Sequence, residues 1–173
     1  MKCKADSALL SLESLRAFLN PSFPGRVVIM GIGNRLRGDD GAGPELIAKL
    51  KEKWDLHGYP SDSHAQTFFL DAGESPEDWF IRILDLAPEV IVVVDAIDLK
   101  VKAGSIAIIE PSALPESSCF STHRLPLRDL LTLWNQKSRV LVVLAIQPES
   151  LDFCQEISPT VRKAIDNLVE LLL

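Results

Sequence analysis

Two adjacent carboxylates, Asp39 and Asp40, lie in the glycine-rich segment 31–43. This segment follows the apolar run 27–30 and precedes residues with helical periodicity, so the sequence predicts a strand-to-helix turn. Glycines at such a turn let the backbone bend tightly and approach a ligand. In open α/β sheets these turns lie at the carboxyl ends of strands, where binding sites form. We therefore expect a ligand site at this loop.

The ligand of this loop is predicted to be a cation. Gly33 and Gly38 have the spacing of a phosphate-binding loop, but such a loop continues with Lys and Ser or Thr, whereas this one continues with two aspartates. Two negative charges would repel a phosphate. A dinucleotide fingerprint requires a third glycine where this chain has Leu36. Adjacent carboxylates suit a cation instead.

Further residues whose side chains can bind a metal lie near the ends of other predicted strands and helices. Asp71 and Asp95 each end an apolar run that predicts a strand, and His123 lies in a loop before a later predicted helix. Asp40, Asp71 and His123 together would form a three-ligand site. Such a set leaves coordination positions open, as catalytic or substrate-accepting metal sites require.

Each of these residues also has a structural interpretation. Asp40 is placed to cap the helix that follows it, and Asp39 suits a structural role within the loop. Asp71 and His123 are also interpretable as ordinary polar residues of a turn and of a pre-helix segment. Asp95 is suited to orient a ligand or to serve as a base, and equally to form a turn. Spacing alone leaves these alternatives open.

The elements that must position these residues alternate along the chain. Apolar runs predict strands at 27–32, 67–70, 90–94, 104–109 and 140–146. The fourth run follows the third too closely for a helical crossover, so we expect it to pair as an antiparallel element at the sheet edge. The alternation of strands and helices predicts an α/β fold, a three-layer α/β/α sandwich on a mostly parallel sheet of about five strands with one antiparallel edge strand.

The chain is predicted to comprise an N-terminal helical extension, residues 1–25, and a single α/β domain, residues 26–173. Within the extension a helix is expected over residues 6–19, with Asp6 or Ser7 as its cap. A chain of 173 residues is one domain by the usual size of domains.

Composition excludes several classes of protein. The chain is 47% hydrophobic with a formal net charge of −6, which predicts a compact protein with no basic face for nucleic acid. No apolar run reaches the length of a membrane span, and the N-terminus lacks the apolar core of a signal peptide, so we expect a cytoplasmic location. Cys3, Cys119 and Cys154 are odd in number and lack metal-ligand spacing, which predicts reduced thiols.

Five motifs together indicate a family. They occur in the order GIGN at 31–34 with GDDGAG at 38–43, LDAG at 70–73, VDA at 94–96, STHRLPL at 121–127 and IQP at 146–148. With these motifs the chain resembles the [NiFe]-hydrogenase maturation proteases over residues 26–172. Many members have Glu where this chain has Asp40, so it most resembles the branch that serves membrane-associated, hydrogen-evolving hydrogenases of the formate-hydrogenlyase type.

The resemblance implies an activity and a set of site residues. It implies aspartyl endopeptidase activity that removes a C-terminal extension from the hydrogenase large-subunit precursor after nickel has been inserted. Asp40, Asp71 and His123 correspond to the family's nickel-contacting residues, and Asp95 and Asp39 are expected to support them. The nickel is expected to come with the substrate, and no organic cofactor is expected. The expected partners are the precursor and other hydrogenase maturation factors.

Two other functions are compatible with these residues. A non-enzymatic nickel chaperone would deliver the metal through Asp40, Asp71 and His123 and leave the precursor intact. A cysteine peptidase would use Cys119 with His123, although no motif of the resembled family supports it. Within the protease interpretation, the metal either only marks the precursor as ready or also polarises the scissile carbonyl or activates a water.

Overall fold

The computed structural model of the protein describes residues 11–59, 66–114 and 127–173. Strands and helices alternate along these residues as the sequence predicts. The strands are β1 (Val27–Ile32), β2 (Thr67–Gly73), β3 (Val90–Ala96), β4 (Ile106–Ile109) and β5 (Val140–Ile146). The helices are α1 (Leu12–Phe18), α2 (Ala42–Leu56), α3 (Phe80–Leu86), α4 (Leu127–Asn135) and α5 (Pro159–Leu172). Short 3-10 turns at Gly38–Gly41 and Pro76–Trp79 lead into α2 and α3.

The five strands form one sheet in the order β2-β1-β3-β5-β4. The first four of these strands are parallel, and β4 pairs antiparallel with β5 at the edge. All residues of β1 and of β5 are buried, which explains their unbroken apolar runs, because a parallel strand is covered by helices on both faces. The predicted mixed sheet and its antiparallel edge are confirmed.

The helices cover the sheet in two layers. Val27 and Ile29 of β1 pack in a core with α1, α2 and α5, whereas Val28 and Met30 pack in a second core with α3 and α4. Alternate residues of one strand thus contact opposite helical layers, as the two-residue period of a strand requires. The result is the predicted three-layer α/β/α sandwich.

The predicted cap of the first helix is wrong. The described helix α1 begins at Leu12, and its cap is Ser11, whose hydroxyl accepts the N–H of Ser14 at 3.2 Å. Serine is a preferred cap wherever it precedes a helix, so the sequence could not distinguish Ser7 from Ser11. Residues 6–10 of the predicted helix lie outside the described residues.

Helix α1 contributes to the main core. Leu15 and Leu19 are buried in the cluster formed with β1, α2 and α5. The predicted boundary at residue 25 between an extension and a domain stays a prediction.

The N-terminus of α2 packs directly on the sheet because of one glycine. A Cβ atom on Gly43 would lie 2.4 Å from the carbonyl oxygen of Ile32 and 2.6 Å from that of Val94. Both distances are too short for any side chain, so only glycine lets the helix approach the ends of β1 and β3. This approach brings the loop between β1 and α2 over the carboxyl ends of the parallel strands.

The same loop lies at the topological switch point of the sheet. From β1 the chain passes through α2 to β2 on one side, and β3 lies on the other side of β1. The carboxyl ends of β1 and β3 therefore border a crevice of the kind in which α/β proteins bind ligands. No helix among the described residues has the length and apolar character needed to cross a membrane.

Candidate active site

The two aspartates of the glycine loop have different environments, and Asp39 faces inward. Only 1% of Asp39 is exposed. Its Oδ2 accepts the N–H of Glu149 at 2.7 Å, the N–H of Ser150 at 3.2 Å and the hydroxyl of Ser158 at 3.0 Å. Its Oδ1 accepts the N–H of Ser158 at 2.7 Å. One buried carboxylate thus satisfies three backbone donors and one hydroxyl.

These bonds connect the glycine loop to the start of α5. Ser158 caps α5, and its hydroxyl also accepts the N–H of Val161. Asp39 therefore fixes the segment between β5 and α5 against the loop that carries Asp40. The contacts are those expected of the structural role that the sequence allowed for Asp39, and they support Asp40 by holding its loop in place.

Asp40 is half-buried at the mouth of the crevice. Its Oδ2 accepts the N–H of Asn34 at 2.8 Å, which folds the loop back on itself. Gly33 makes this fold feasible, since its φ is +134° and a Cβ there would lie 1.8 Å from the carbonyl oxygen of Asp40. The cap of α2 is Gly41, and no side chain caps that helix. The capping interpretation of Asp40 is therefore wrong.

Asp71 lies at the end of β2, and its side chain is 44% exposed. Its Oδ1 accepts the N–H of Gly73 at 3.1 Å, and its Oδ2 accepts a hydrogen bond from Arg35 Nη2 at 3.2 Å. The N–H of Gly33 donates to the carbonyl oxygen of Gly73 at 2.9 Å, which joins the end of β2 to the glycine loop. Asp71 thus contacts Arg35, and Asp40 contacts the preceding residue, Asn34.

Arg35 is a site residue to which the sequence gave no role. Besides Asp71, its guanidinium contacts Glu45 Oε2 at 3.1 Å and the carbonyl oxygen of Pro44 at 2.7 Å. Its position in the glycine loop is visible in the sequence, but its partner Asp71 lies 36 residues away. Only the folded chain shows that the candidate ligand Asp71 is paired with a cation.

Asp95 lies near the end of the central strand, β3, and is less exposed than Asp71. Burial and, to a smaller extent, the charge of Asp40 raise the pKa of this carboxyl from 3.8 to about 8, against the opposing effect of a hydrogen bond from the backbone of Ala96. The interaction with Asp40 shows that Asp95 and Asp40 are close at the β1–β3 crevice. At pH 7 the Asp95 carboxyl is mostly protonated in the metal-free chain, so it is a hydrogen-bond donor there and a poor base.

Gln147 organises the segment after Asp95. This amide is only 6% exposed. Its Oε1 accepts the N–H of Leu99 at 2.7 Å, and its Nε2 donates to Asp98 Oδ1 at 3.2 Å. Hydrogen bonds from Lys100 and Gln147 lower the pKa of Asp98 to about 2. Gln147 is thus occupied by structural contacts.

The third predicted ligand, His123, lies outside the described residues, and so does Cys119. Among residues 11–59, 66–114 and 127–173, no three His, Cys, Asp or Glu side chains are grouped so that they could hold a metal ion. Oxygen donors from Asp40 and Asp71 are chemically suited to complete a nickel site together with imidazole. The set Asp40, Asp71 and His123 stays a prediction.

The fold and the site together define a class of protein. Acidic residues stand at or just beyond the carboxyl ends of three neighbouring strands, β2, β1 and β3, in a mostly parallel α/β sheet. Such a site, at a switch point and open to solvent at Asp71, is typical of an α/β enzyme that acts on an external substrate.

Comparisons with known proteins give the family. The profile of the HycI family, described as hydrogenase maturation protease, matches residues 44–173. The hydrogenase 3 maturation protease of Escherichia coli K12 is 29% identical over 149 residues, which cover 84% of this chain and 87% of the relative. The chain therefore belongs to the hydrogenase maturation protease family and is an endopeptidase, as its five motifs predicted.

Solved structures agree with this assignment. The crystal structure of the [NiFe] hydrogenase maturation protease HycI from Thermococcus kodakarensis has a TM-score of 0.73 and 29% identity, covering 91% of this chain and 95% of that one. The solution structure of the endopeptidase HycI from Escherichia coli has a TM-score of 0.69 and 28% identity, covering 84% and 87%. The family profile begins after Asp40 and includes Asp71.

The role of Asp39 leads to a prediction about stability. Replacing Asp39 by Ala should lower the free energy of unfolding by about 2–4 kcal/mol, because it leaves buried donors of the 149–158 segment without an acceptor. Urea unfolding followed by circular dichroism measures this loss. Asp55→Ala removes the same charge from an exposed position and should change stability by less than about 0.5 kcal/mol. Equal effects of the two substitutions would contradict the structural role.

The environment of Asp95 leads to a prediction about pH. The pKa of the Asp95 carboxyl is about 8 in the folded state, whereas it is 3.8 in the unfolded chain. The associated stabilisation is complete below the lower value and is lost as the pH rises through the higher one. Between about pH 4.5 and pH 8.5, the unmodified metal-free chain should lose about 4–5 kcal/mol relative to Asp95→Asn. Urea unfolding in the presence of a chelator at several pH values tests this, and parallel curves for the two proteins would refute it.

Proposed function

We propose that this endopeptidase removes the C-terminal extension of a [NiFe]-hydrogenase large-subunit precursor after nickel insertion, and that it recognises the nickel bound in that precursor. The family supports the proposal, since the relatives it matches are hydrogenase maturation proteases. A nickel chaperone without protease activity is a poorer explanation, because the chain belongs to a family of proteases.

One observation carries the proposal. Asp40 and Asp71 come from different strand ends, yet both contact consecutive residues of one loop, Asn34 and Arg35. This arrangement presents two carboxylates from neighbouring strand ends at the open edge of the sheet. A metal ion that protrudes from a docked protein substrate could be contacted by both groups, with His123 as the predicted third contact.

The chemistry of the donors explains why the metal should come with the substrate. Two carboxylates and one imidazole form only part of a coordination sphere, and thiolate, which holds late transition metals tightly, is not among them. Coordination would be complete only when the precursor supplies the remaining ligands. The enzyme could then distinguish a nickel-loaded precursor from an empty one, because only the former satisfies the site.

Two mechanisms share this recognition step. In the first, Asp40, Asp71 and His123 only grip the nickel and thereby position one peptide bond of the extension for hydrolysis. In the second, the metal also polarises the scissile carbonyl or activates a water.

The first functional prediction concerns the three predicted contacts. Replacing Asp40, Asp71 or His123 by Ala should each reduce cleavage of nickel-loaded precursor by about 100-fold or more, since each removes a group that contacts the metal. The mass of the precursor before and after incubation measures cleavage. Circular dichroism should show that each variant is folded.

Matched controls keep this test specific. Asp55→Ala and His57→Ala change exposed residues at the far end of α2, about 20 Å from its N-terminus, and should cleave at the parental rate. A variant with Cys3, Cys119 and Cys154 replaced by Ser should also remain active. A folded but inactive cysteine variant would favour the thiol mechanism, and a fully active variant of a predicted contact would remove that residue from the site.

The second functional prediction concerns the source of the metal. Chelator-treated enzyme should cleave nickel-loaded precursor without added metal, and it should give no product with nickel-free precursor. The reason is that the enzyme alone supplies too few ligands to retain nickel. Mass spectrometry of the four combinations of metal-free or nickel-treated enzyme and precursor provides the measurement. Efficient cleavage of nickel-free precursor by chelator-treated enzyme would refute nickel recognition while leaving the protease assignment intact.

A further inference from the structure

We propose that Arg35 tunes the specificity of the site: its guanidinium pairs with Asp71 and thereby weakens the binding of free divalent cations, which favours a metal held in the precursor. The inference rests on the proposed function, because it takes Asp71 as a contact of the precursor's nickel. It concerns the isolated enzyme, so it is testable without cleavage.

Arg35 is anchored independently of Asp71. Its Nη1 contacts Glu45 Oε2 at 3.1 Å, and its Nη2 donates to the carbonyl oxygen of Pro44 at 2.7 Å. Both partners belong to the first turn of α2, which Gly43 holds against the sheet. In the isolated enzyme the positive charge is therefore held near the end of β2 by contacts other than that with Asp71.

This anchored charge competes with any cation at Asp71. The guanidinium lies 3.2 Å from Asp71 Oδ2, and the other oxygen already accepts the N–H of Gly73. A free metal ion must displace Arg35 or bind beside a positive charge. Without Arg35, Asp71 would be an exposed carboxylate without a cationic partner on a chain of net charge −6, which is a favourable place for a cation.

A protein-bound metal overcomes this barrier more readily than a free ion does. Contacts elsewhere between the two proteins contribute to binding, so displacement of one exposed ion pair is a small part of the total free energy. The Arg35 side chain is 46% exposed, which leaves it room to move away from Asp71 while it keeps its contact with Glu45. Arg35 would thus discriminate against free metal more than against the precursor.

The chain offers a matched control in the same loop. Arg37 carries the same charge two residues further on, but its guanidinium donates to the carbonyl oxygen of Leu151 at 3.4 Å and lies over the Phe153 ring at 4.9 Å. The contacts described for Arg37 do not include Asp71. Replacing Arg37 therefore changes the net charge without changing the pairing of Asp71.

The experiment measures binding of Ni²⁺ alone to the full-length, metal-free enzyme by isothermal titration calorimetry. Arg35→Gln should bind Ni²⁺ about threefold to tenfold more tightly than the unmodified chain, the size expected for one solvent-exposed charge contact. Arg37→Gln should differ by less than about twofold, because the Arg37 guanidinium contacts Leu151 and Phe153 and its removal leaves the Arg35–Asp71 pair intact. This gain in Ni²⁺ affinity should be absent when Arg35→Gln is combined with Asp71→Asn and compared with Asp71→Asn alone.

The outcomes separate this inference from the proposed function. Equal affinities of the unmodified chain and the Arg35→Gln variant, or a gain that persists without the Asp71 carboxylate, would overturn the role of Arg35 whatever the cleavage assay shows. Failure of the unmodified enzyme to cleave nickel-loaded precursor would overturn the proposed function whatever the titration shows. Arg35→Met, which also lacks the charge, provides the same comparison if Arg35→Gln does not fold.

Discussion

The close approach of α2 to the sheet is the constraint on which the candidate site depends. Gly43 lets the first turn of this helix lie against the backbone of Ile32 and Val94, where any Cβ would clash. Because the helix begins so close to the strand ends, the connecting loop must fold back over them. Asp40 then lies over the β1–β3 crevice, and the first turn of α2 carries the two groups that anchor Arg35.

The adjacent carboxylates Asp39 and Asp40 perform different tasks because the turn directs them to different surroundings. Asp39 is enclosed by donors from the start of α5 and the segment before it, so its charge is compensated inside the protein. Asp40 accepts one backbone N–H and remains at the crevice beside Asp95. The first carboxylate thus stabilises the loop, and the second lies where the proposed contact with the metal would form.

The negative charges of the aspartates at the strand ends are reduced in two different ways. Arg35 balances Asp71 at the solvent-exposed edge, whereas at the crevice burial and the charge of Asp40 favour the protonated form of Asp95. The isolated enzyme therefore presents less negative charge at this edge than the number of its aspartates suggests. Under the proposed function this arrangement is an advantage, since a site that captured free metal would no longer report on the state of the substrate.

The sequence by itself determined the sheet and the family. Apolar runs marked β1, β3 and β5 as strands, and their alternation with helices indicated a mostly parallel sheet. The short interval before β4 marked the antiparallel edge, and the ordered motifs indicated the maturation proteases. Only the tertiary structure decided that Asp39 is buried, that Arg35 pairs with Asp71 and that the pKa of Asp95 is raised. Strand patterns and motifs are local, so they can be seen in the sequence, whereas hydrogen bonds, ion pairs and burial depend on residues that are distant in the chain and meet only when it folds.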